Sequence, residues 1–588
     1  METKEIPYGI SDYARLSIEN YYYVDKTRFV SLIEKAASFL FFIRPRRFGK
    51  SLLLSMLESY YDINNADRFE ELYGNRYIFN HETKLRAKFL ILRFDFSAID
   101  SYPDRLEGSF ESYCRGQFEL FTDKYERFFA PDFREKLQAQ PTSARCLGYI
   151  TDSASLLGLN IYLLIDEYDN FTNTLLSTYG TEAYHKATHG DSFYRHFFAV
   201  IKAATGGSDK ALKRMFITGV SPISMDDVTS GFNIGTNISQ DARFNGLVGF
   251  SETELREMLT YYQSEGKLKD DIETVLQWMK PWYDNYCFAE ETLGESMYNS
   301  DMALYFMNTY IPTGRRPKLM VDTNIKTDYN KIRHLVRIDK KLTQSNADGE
   351  SPNFSIIKEI IESGQTTTII NRSFPADQMT NPANFKSLLY YFGLLTISDI
   401  EEGRPLLAIP NQTVREQMYT YLIECYQQAE VFTLSLDLLA DLTHNMIYRG
   451  EWKPVFTYIA SELERQSRIR EFIDGEAHIK GFLLAYLGLT ENYLLLPEYE
   501  ANKGYADFYF QPVKAGIKYA YLLEVKYAKH NASSAEIETL VQEAREQLLK
   551  YAADPMVEQT KGDAELKLII VVFKAWELGA MEEVLLCT

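Results

Sequence analysis

The run Gly49-Lys50-Ser51 combines residue types and spacing that suit phosphate chemistry in this 588-residue sequence. The apolar run 40–43 before it predicts a buried strand, and the leucine-rich run 52–57 after it predicts a helix. A strand, a loop ending in Gly-Lys-Ser and a helix form the layout of a phosphate-binding loop, whose backbone N–H groups suit an anion. We expect Lys50 to reach the outer phosphates of ATP and Ser51 to hold Mg²⁺.

One position of this loop departs from the full pattern G-x-x-x-x-G-K-[ST]. Arg44 stands where the pattern has its first Gly, and Pro45, Arg46, Arg47 and Phe48 follow it. An ordinary helix start with a Ser in its first turn is the alternative interpretation of so short a motif. We interpret the run as a variant cofactor-binding loop, in which Arg44, Arg46 and Arg47 form a basic collar that serves ATP, a neighbouring subunit or nucleic acid.

Two carboxylates follow another apolar run, at 160–165. The carboxyl end of a buried parallel strand faces the ligand in α/β proteins. We therefore expect Asp166 to hold Mg²⁺ from the side opposite Ser51, and Glu167 to orient the attacking water. The alternative is a strand that simply ends at a polar turn.

Further strands are predicted at 88–97 and 214–220. In ATPases with an inserted central strand, a polar residue near the end of that strand senses the γ-phosphate. Thr218 or Ser221 fits this place. Capping of the next turn is an equally good explanation of either residue.

Asp507, Glu524 and Lys526 form a second candidate group near the C-terminal end of the sequence. In a hairpin with period-two alternation, Glu524 and Lys526 face the same side, and Asp507 can lie beside them on the partner strand. Two carboxylates and a lysine on one face suit Mg²⁺, which prefers oxygen ligands, and would activate water next to a scissile phosphate. A surface ion pair is the alternative.

The composition limits the classes of partner. Net charge is −19, from 63 basic and 82 acidic residues, so any DNA or RNA contact must come from a local basic patch such as Lys529 and His530. Five scattered cysteines suit neither a disulfide framework nor a zinc site and predict a reducing, cytoplasmic setting. The sequence contains no run of ~18 apolar residues, so we expect no membrane span. Its first residues show no apolar signal segment.

Several runs together resemble a bacterial AAA-ATPase-like family, whose members usually carry a PD-(D/E)XK nuclease-like domain at the C-terminus. The runs are Tyr-Val-Asp-Lys-Thr at 23–27, Arg-Pro-Arg-Arg-Phe-Gly-Lys-Ser at 44–51, Leu-Ile-Asp-Glu-Tyr-Asp at 164–169 and Phe-Ile-Thr-Gly-Val-Ser at 216–221, with later matches at 282–286 and 407–411. An Arg at the first-Gly position is normal in that family. The resemblance covers nearly the whole chain and implies the fold and, less strongly, ATP turnover.

The order of acidic residues in the last third is similar to the PD-(D/E)XK core. The resemblance implies that Asp507 and Glu524 bind metal and that Lys526 orients water or phosphate. It also implies that Glu476 is a further metal ligand on the preceding helix. Gln547 and Tyr551, on the helix after the Lys strand, match residues that often support such a site.

The expected fold is α/β with three parts. We predict a P-loop, AAA-like ATPase domain with a parallel sheet at 1–250, a helical lid and winged-helix-like region at 251–432, and a restriction-endonuclease-like α/β domain at 433–588. The middle part has no basic cluster, which favours a lid over a DNA-binding module.

The function that follows is an ATPase coupled to a metal-dependent nuclease acting on DNA or RNA, with ATP and Mg²⁺ as cofactors and defence or DNA processing as the setting. The alternative is a nucleotide-dependent switch whose nuclease-like domain only binds nucleic acid or a partner protein. If the chain forms a homo-oligomer, Arg243 is a candidate for an arginine supplied to a neighbouring ATP site.

Overall fold

The computed structural model describes residues 3–207, 209–223, 227, 235–317, 319–322, 352–379, 381–418, 435–465, 476–488, 492–502, 504–513 and 516–585. The chain divides into two units, of which the first is 1–356 with 365–414 and the second is 357–364 with 415–588. The three-domain division drawn from the sequence stays a prediction.

A five-stranded parallel sheet lies at the centre of the first unit, in the order β2-β3-β4-β1-β5. Its strands are β1 (Phe39–Ile43), β2 (Leu90–Asp95), β3 (Ile161–Asp166), β4 (Leu212–Gly219) and β5 (Thr236–Asn237). Strand β4 lies between β1 and β3, so the predicted inserted central strand is confirmed. This order brings the carboxyl ends of β1, β3 and β4 together, which is where the phosphate loop and Asp166 lie.

The apolar runs of these strands follow from burial on both faces. All six residues of β3 are buried, for example. The helices of the AAA-like part are α1 (Tyr13–Ile18), α2 (Val30–Ala36), α3 (Lys50–Tyr61), α4 (Phe69–Tyr73), α5 (Leu106–Tyr125), α6 (Phe133–Gln138), α7 (Ser143–Leu156), α8 (Asn170–Thr174), α9 (Thr181–Thr188) and α10 (Phe193–Thr205).

The rest of the first unit is mainly helical, as expected. A capping box joins Ser251 and Glu254 at the start of helix α11, where the sequence pattern indicates one. The helices are α11 (Glu252–Ser264), α12 (Ile272–Tyr283), α13 (Ser300–Thr313), α14 (Pro352–Ser363), which crosses the unit boundary, and α15 (Pro382–Tyr391). The short strands are β6 (Phe250–Ser251), β7 (Met297–Tyr298), β8 (Gln365–Thr367), β9 (Thr396–Glu401) and β10 (Arg404–Ala408).

The second unit has its own five-stranded sheet, in the order β11-β12-β13-β14-β15. Its strands are β11 (Tyr493–Ala501), β12 (Gly504–Pro512), β13 (Tyr519–Ala528), β14 (Glu565–Lys574) and β15 (Glu577–Val584), and only the β13–β14 pair is parallel. The helices are α16 (Leu436–Arg449), α17 (Lys453–Arg465), α18 (Glu476–Leu487), α19 (Ser534–Ala552) and α20 (Pro555–Thr560).

Helix α19 buries an apolar face against this sheet. Val541, Ala544 and Leu548 belong to the same buried cluster as Leu522 and Ile570 from the sheet. The mixed α/β class predicted for the chain is confirmed. Of the helices in the described residues, none is both long enough and apolar enough to cross a membrane.

Candidate nucleotide and metal sites

The loop between β1 and α3 has the backbone shape of an anion-binding loop. Helix α3 begins at Lys50, and Gly49 before it has a φ of 94°, a left-handed conformation that favours glycine. Arg47 is also left-handed, with a φ of 66°. Arg44 is not among the described residues with positive φ, so its backbone does not require the glycine of the full pattern.

The Arg44 side chain is a buried structural cation. It is 1% exposed, and its guanidinium donates to the carbonyls of Ile43 (3.0 Å), Phe244 (3.3 Å) and Ser239. The guanidinium carbon also lies 4.1 Å from the ring centre of Phe288. Burial lowers the pKa of Arg44 to about 10. The collar interpretation is therefore wrong for Arg44, because its guanidinium is buried and hydrogen-bonded to main-chain carbonyls.

Helix α13 holds the other end of the loop. Arg47 Nη1 lies 3.0 Å from Asp301 Oδ2, and the Arg47 carbonyl accepts from the Asp301 N–H and the Ser300 hydroxyl, each at 3.2 Å. Phe48 is buried, with its ring edge-on to Tyr286 at 4.9 Å between centres. These contacts fix the loop backbone before any ligand binds.

The remaining loop residues differ in exposure. Pro45 is buried, and Arg46 and Arg47 are half-buried. For Arg46 and Arg47 the collar interpretation stays a prediction.

Lys50 is buried and rests on its own loop. Its ammonium donates to the carbonyls of Arg44 (3.1 Å) and Pro45 (3.0 Å) and lies 3.9 Å from Glu167 Oε1. Burial lowers the pKa of Lys50, and the carboxylates of Glu167 and Asp166 oppose that shift. A phosphate that entered the loop would replace two weak neutral acceptors with a charged one.

Asp166 ends β3 with one carboxylate oxygen paired and the other unpaired. Oδ1 accepts from the Thr218 hydroxyl at 2.5 Å and from the Glu167 N–H at 3.1 Å. Oδ2 is buried and has no hydrogen-bond partner among the described residues. Burial raises the pKa of Asp166, while the hydroxyls of Ser51 and Thr218 lower it. An unpaired buried oxygen beside Ser51 fits a divalent cation.

Glu167 occupies a strained backbone position directly after the strand. Its φ is 51°, in the left-handed region that a non-glycine residue adopts at a cost of about 1 kcal/mol or more. Glu167 Oε2 accepts from Asn170 at 3.2 Å. The other oxygen, Oε1, lies 3.9 Å from the Lys50 ammonium.

The two candidates for the sensing position separate in the structure. Thr218 contacts Asp166, as described. Ser221 belongs to the following turn, where its N–H donates to Asp169 Oδ2 at 2.5 Å and its hydroxyl accepts from Ile223 at 3.2 Å. The geometry brings Thr218 to the carboxylate and leaves Ser221 with the capping role.

A cavity of about 290 Å³ opens from this loop. Gly49, Lys50, Ser51 and Glu167 are among the residues that line it. Apolar side chains from the N-terminal segment and from the chain after β5 line it as well, among them Ile10, Val24, Leu247, Val248 and Leu304. A cavity that combines a phosphate loop with apolar side chains suits a nucleotide.

The second site lies on β12 and β13. The antiparallel register pairs Phe508 with Leu523, so Asp507 lies opposite Glu524 on the same face. Asp507 Oδ2 accepts from the Val525 N–H at 2.7 Å, and Lys526 donates to Glu524 Oε2 at 3.1 Å. The structure thus brings together the three residues that the hairpin argument grouped.

Glu524 is the most deeply buried group of this site, at 1% exposed, and its Oε1 has no hydrogen-bond partner among the described residues. Burial and the neighbouring Asp507 carboxylate raise the pKa of Glu524. Burial alone would lower the pKa of Lys526, but Glu524 and Asp507 raise it. A divalent cation between the two carboxylates would relieve their repulsion, so this donor set fits Mg²⁺.

Lys480, which sequence reasoning missed, also belongs to this site. It lies one turn after Glu476 on α18, and its ammonium is 2.8 Å from Glu476 Oε1 and 2.5 Å from Asp507 Oδ1. Glu476 therefore reaches Asp507 through Lys480. In the part of the chain that the structure describes, no group of three His, Cys, Asp or Glu side chains could hold a metal ion. The i,i+4 spacing of Glu476 and Lys480 was the available signal.

The supporting residues lie on α19 and in the loop after β13. Gln547 Oε1 is buried and has no hydrogen-bond partner in the described chain. Tyr551 is also buried. Burial raises the pKa of Tyr551 most, and the nearby Glu524 carboxylate raises it further. His530 stacks on Trp576 at 5.4 Å between ring centres, next to the exposed Lys529.

Arg243, the candidate for an arginine supplied to a neighbouring ATP site, lies in the first unit. It is exposed and paired with Asp241 at 2.5 Å.

Two family models match the chain. Residues 7–229 match a family described as "Predicted AAA-ATPase", and residues 474–583 match the PD-(D/E)XK nuclease superfamily. The two matches contain both sites described above. The resemblance found in the sequence is confirmed.

A relative found by overall sequence similarity adds no functional information to these family matches. A protein of Azotobacter chroococcum mcd 1, described as "Uncharacterized protein in vnfD 5'region", is 29% identical over 310 residues. The alignment spans 52% of this chain and 52% of that relative, so the chain spans about half the length of the curated relative it matches.

The solved structure of the Aeropyrum pernix ORC2 protein, in ADPNP–ADP complexes, aligns with 71% of this chain and 98% of its own at 11% identity, with a TM-score of 0.32. A likeness of that size transfers no function. The family matches are therefore what identifies the two regions: the chain joins a region similar to the predicted AAA-ATPase family to a region similar to the PD-(D/E)XK nuclease superfamily.

Proposed function

We propose that this protein binds and hydrolyses ATP in the first unit and cleaves phosphodiester bonds of nucleic acid in the second. Matches to the two families support nucleotide use and a nuclease-like region in general terms. The observation that carries the finer proposal is common to both sites. Each has a buried carboxylate oxygen without a hydrogen-bond partner in the described chain, Asp166 Oδ2 and Glu524 Oε1. Each carboxylate also has a lysine in its surroundings: the Asp166 charge opposes the lowering of the pKa of Lys50 by burial, and Lys526 contacts the other oxygen of Glu524.

In the ATP site the chain's own groups bind and orient. The N–H groups at the start of α3 and the Lys50 ammonium bind the outer phosphates, and apolar side chains of the cavity contact the base. Ser51 and Asp166 would hold Mg²⁺, which supplies charge neutralisation for the transferred phosphoryl group. Glu167 accepts a proton from the attacking water, and Thr218 holds Asp166 in place.

In the nuclease-like site Asp507 and Glu524 would hold the divalent cation, which supplies an activated water. Lys526 orients that water or neutralises the scissile phosphate. Glu476 acts through Lys480, since the ammonium lies between Glu476 and Asp507. Lys529 and His530 offer a local positive surface to the phosphate backbone.

DNA cleavage and phosphate release test this proposal directly. Purified full-length protein is incubated with ATP, Mg²⁺ or Mn²⁺, and linear, circular or single-stranded DNA. We expect cleavage that Asp507→Asn and Glu524→Gln abolish and that the exposed control Glu538→Gln retains. If the wild-type protein cuts none of these substrates, or if Asp507→Asn cuts as well as the wild type, the nuclease proposal fails.

The second candidate function is a nucleotide-dependent switch with a nuclease-like domain that only binds. The observation that favours it is the Lys480 ammonium on Asp507, which neutralises one of the two carboxylates. Tight ATP binding without phosphate release, together with DNA binding without cleavage, would support this function. An arginine from a second copy, for which Arg243 is our candidate, would appear as ATP hydrolysis that depends on protein concentration.

A further inference from the structure

The contacts of Asp507 carry an inference about how the metal site is loaded. Both oxygens of this carboxylate have donors: Oδ2 accepts from the Val525 N–H at 2.7 Å, and Oδ1 lies 2.5 Å from Lys480 Nζ. Glu524 differs, because Lys526 contacts only Oε2 and leaves Oε1 without a hydrogen-bond donor in the described chain. One of the two facing carboxylates is therefore open to a cation and the other is closed by a lysine.

We propose that Lys480 is a resident counter-ion, which a divalent cation must displace from Asp507 before the nuclease-like site is loaded. The inference rests on the metal site proposed above and adds the step by which that site changes from a closed to an open state. An ammonium and a divalent cation on the same carboxylate oxygen repel each other, and Lys480 already compensates the negative charge that would attract the metal. Occupancy of Asp507 Oδ1 by Lys480 therefore competes with metal binding.

The surroundings of Lys480 give the displaced ammonium another partner. Its side chain is 20% exposed, so its end can turn toward solvent. Glu476, 37% exposed and one helical turn earlier, already lies 2.8 Å from the ammonium. A small rotation of the Lys480 side chain can leave Asp507 while the ion pair with Glu476 persists. Glu476 then holds the lysine away from the site, which differs from the ligand role that the family resemblance implies.

Lys526 is not an equivalent competitor. It contacts Glu524 Oε2 at 3.1 Å on the same strand, two residues along, and leaves Oε1 free of donors in the described chain. A cation can therefore approach Glu524 without moving Lys526. The two lysines therefore have different roles: Lys526 stays on Glu524 when the metal binds, and Lys480 moves away from Asp507.

Direct metal binding separates this inference from a structural role of Lys480. The full-length protein, free of nucleotide and metal, is titrated with Mn²⁺, and unbound Mn²⁺ is measured by electron paramagnetic resonance. Glu524→Gln defines which part of the binding belongs to this site. Lys480→Met removes the competing charge and keeps the length of the side chain, and Lys480→Arg keeps the charge. Lys518→Met, an exposed position on the same unit, controls for the change in net charge.

We expect Lys480→Met to lower the Mn²⁺ dissociation constant of the Glu524-dependent site by about tenfold, the order of one charge interaction in a partly buried site. Lys480→Arg and Lys518→Met should stay within about twofold of the wild type, because the first keeps the charge and the second removes an exposed one. Mn²⁺ should also raise the melting temperature of Lys480→Met by more than that of the wild type, since only the variant begins with an uncompensated Asp507. Lys480→Gln takes the place of Lys480→Met if the latter does not fold.

The outcomes distinguish the two proposals. If the wild type has a Glu524-dependent Mn²⁺ site and Lys480→Met binds no tighter, the displacement inference is wrong and the metal site stands. If neither protein has a Glu524-dependent site, the metal site itself is wrong, and the displacement inference falls with it.

Discussion

The two candidate sites place a lysine beside buried carboxylates in different ways. In the first unit Lys50 donates to two loop carbonyls and lies 3.9 Å from Glu167. Asp166 Oδ2 has no hydrogen-bond partner among the described residues. In the second unit Lys480 lies directly on Asp507. In our proposal the first site receives an anion and a cation together. In the second, the Lys480 ammonium already neutralises Asp507, so we propose that a metal ion replaces it there.

This difference follows from which partner is charged. We propose phosphate as the charged partner of Lys50, because the two neutral carbonyls that it contacts hold an ammonium more weakly than a charged oxygen does. Lys480 already has two charged partners, and their attraction raises its pKa despite burial. ATP binding should therefore need little rearrangement of the first site, whereas metal binding in the second requires a side chain to move.

Loss of Lys50 is the change with the largest expected effect. Lys50→Met removes the only ammonium that, among the described contacts, lies on the phosphate loop, so ATP hydrolysis should fall by about 100-fold to 1000-fold. The matched control is Lys35→Met, at an exposed position on α2, which should leave the rate unchanged. Phosphate release at saturating ATP measures both. An unchanged rate in Lys50→Met would remove Lys50 from the site.

The three acidic residues of the second site should rank by their contact with the metal. Asp507→Asn and Glu524→Gln each remove a proposed ligand and should weaken Mn²⁺ binding by about 100-fold. Glu476→Gln should weaken it by only a few-fold, because Glu476 meets the site through Lys480. Isothermal titration measures the ranking. An effect of Glu476→Gln as large as that of Asp507→Asn would make Glu476 a direct ligand and break the contrast between the sites.

Arg44 tests the structural side of the comparison. Arg44→Met leaves the carbonyls of Ile43, Ser239 and Phe244 without a donor, which should lower the free energy of unfolding of the first unit by about 2 kcal/mol. Arg46→Met, at a half-buried position, should cost less than about 1 kcal/mol. Thermal denaturation of the two variants gives the ordering. Equal melting temperatures would contradict the structural role of Arg44 and favour its role in the basic collar.

Thr218 carries the smallest expected effect. Thr218→Val removes the hydroxyl that donates to Asp166 Oδ1, a contribution of about 1 kcal/mol, and should slow ATP hydrolysis by about fivefold. Ser221→Ala is the matched comparison, since Ser221 caps a turn, and it should leave the rate within about twofold. If Ser221→Ala slows hydrolysis more than Thr218→Val, the assignment of the two residues is reversed.

Local patterns were enough to predict the elements that carry both sites. Apolar runs before Gly49 and before Asp166 predicted two buried strands, and period-two alternation predicted that Asp507 and Glu524 share a face. These features depend on residues close in sequence or on one strand pairing. The fold class could be predicted for the same reason.

Contacts between distant segments could not be predicted. The partners of Arg44 lie near residues 239 and 244, almost two hundred residues away, so its charge suggested a surface role that burial overrules. The hold of α13 on Arg47 is of the same kind. Lys480 was overlooked although its spacing from Glu476 is local, because an i,i+4 pair of opposite charge usually indicates a solvated helix face.

Anomalous diffraction from crystals grown with a non-hydrolysable ATP analogue and Mn²⁺ tests the contrast between the two sites most directly. We predict one Mn²⁺ peak beside Ser51 and Asp166, with Lys50 turned from its loop carbonyls to phosphate. We predict a second peak between Asp507 and Glu524, with the Lys480 ammonium moved away from Asp507. A Mn²⁺ ion on Asp507 with Lys480 still at bonding distance, or no Mn²⁺ peak in the second site, would contradict this account.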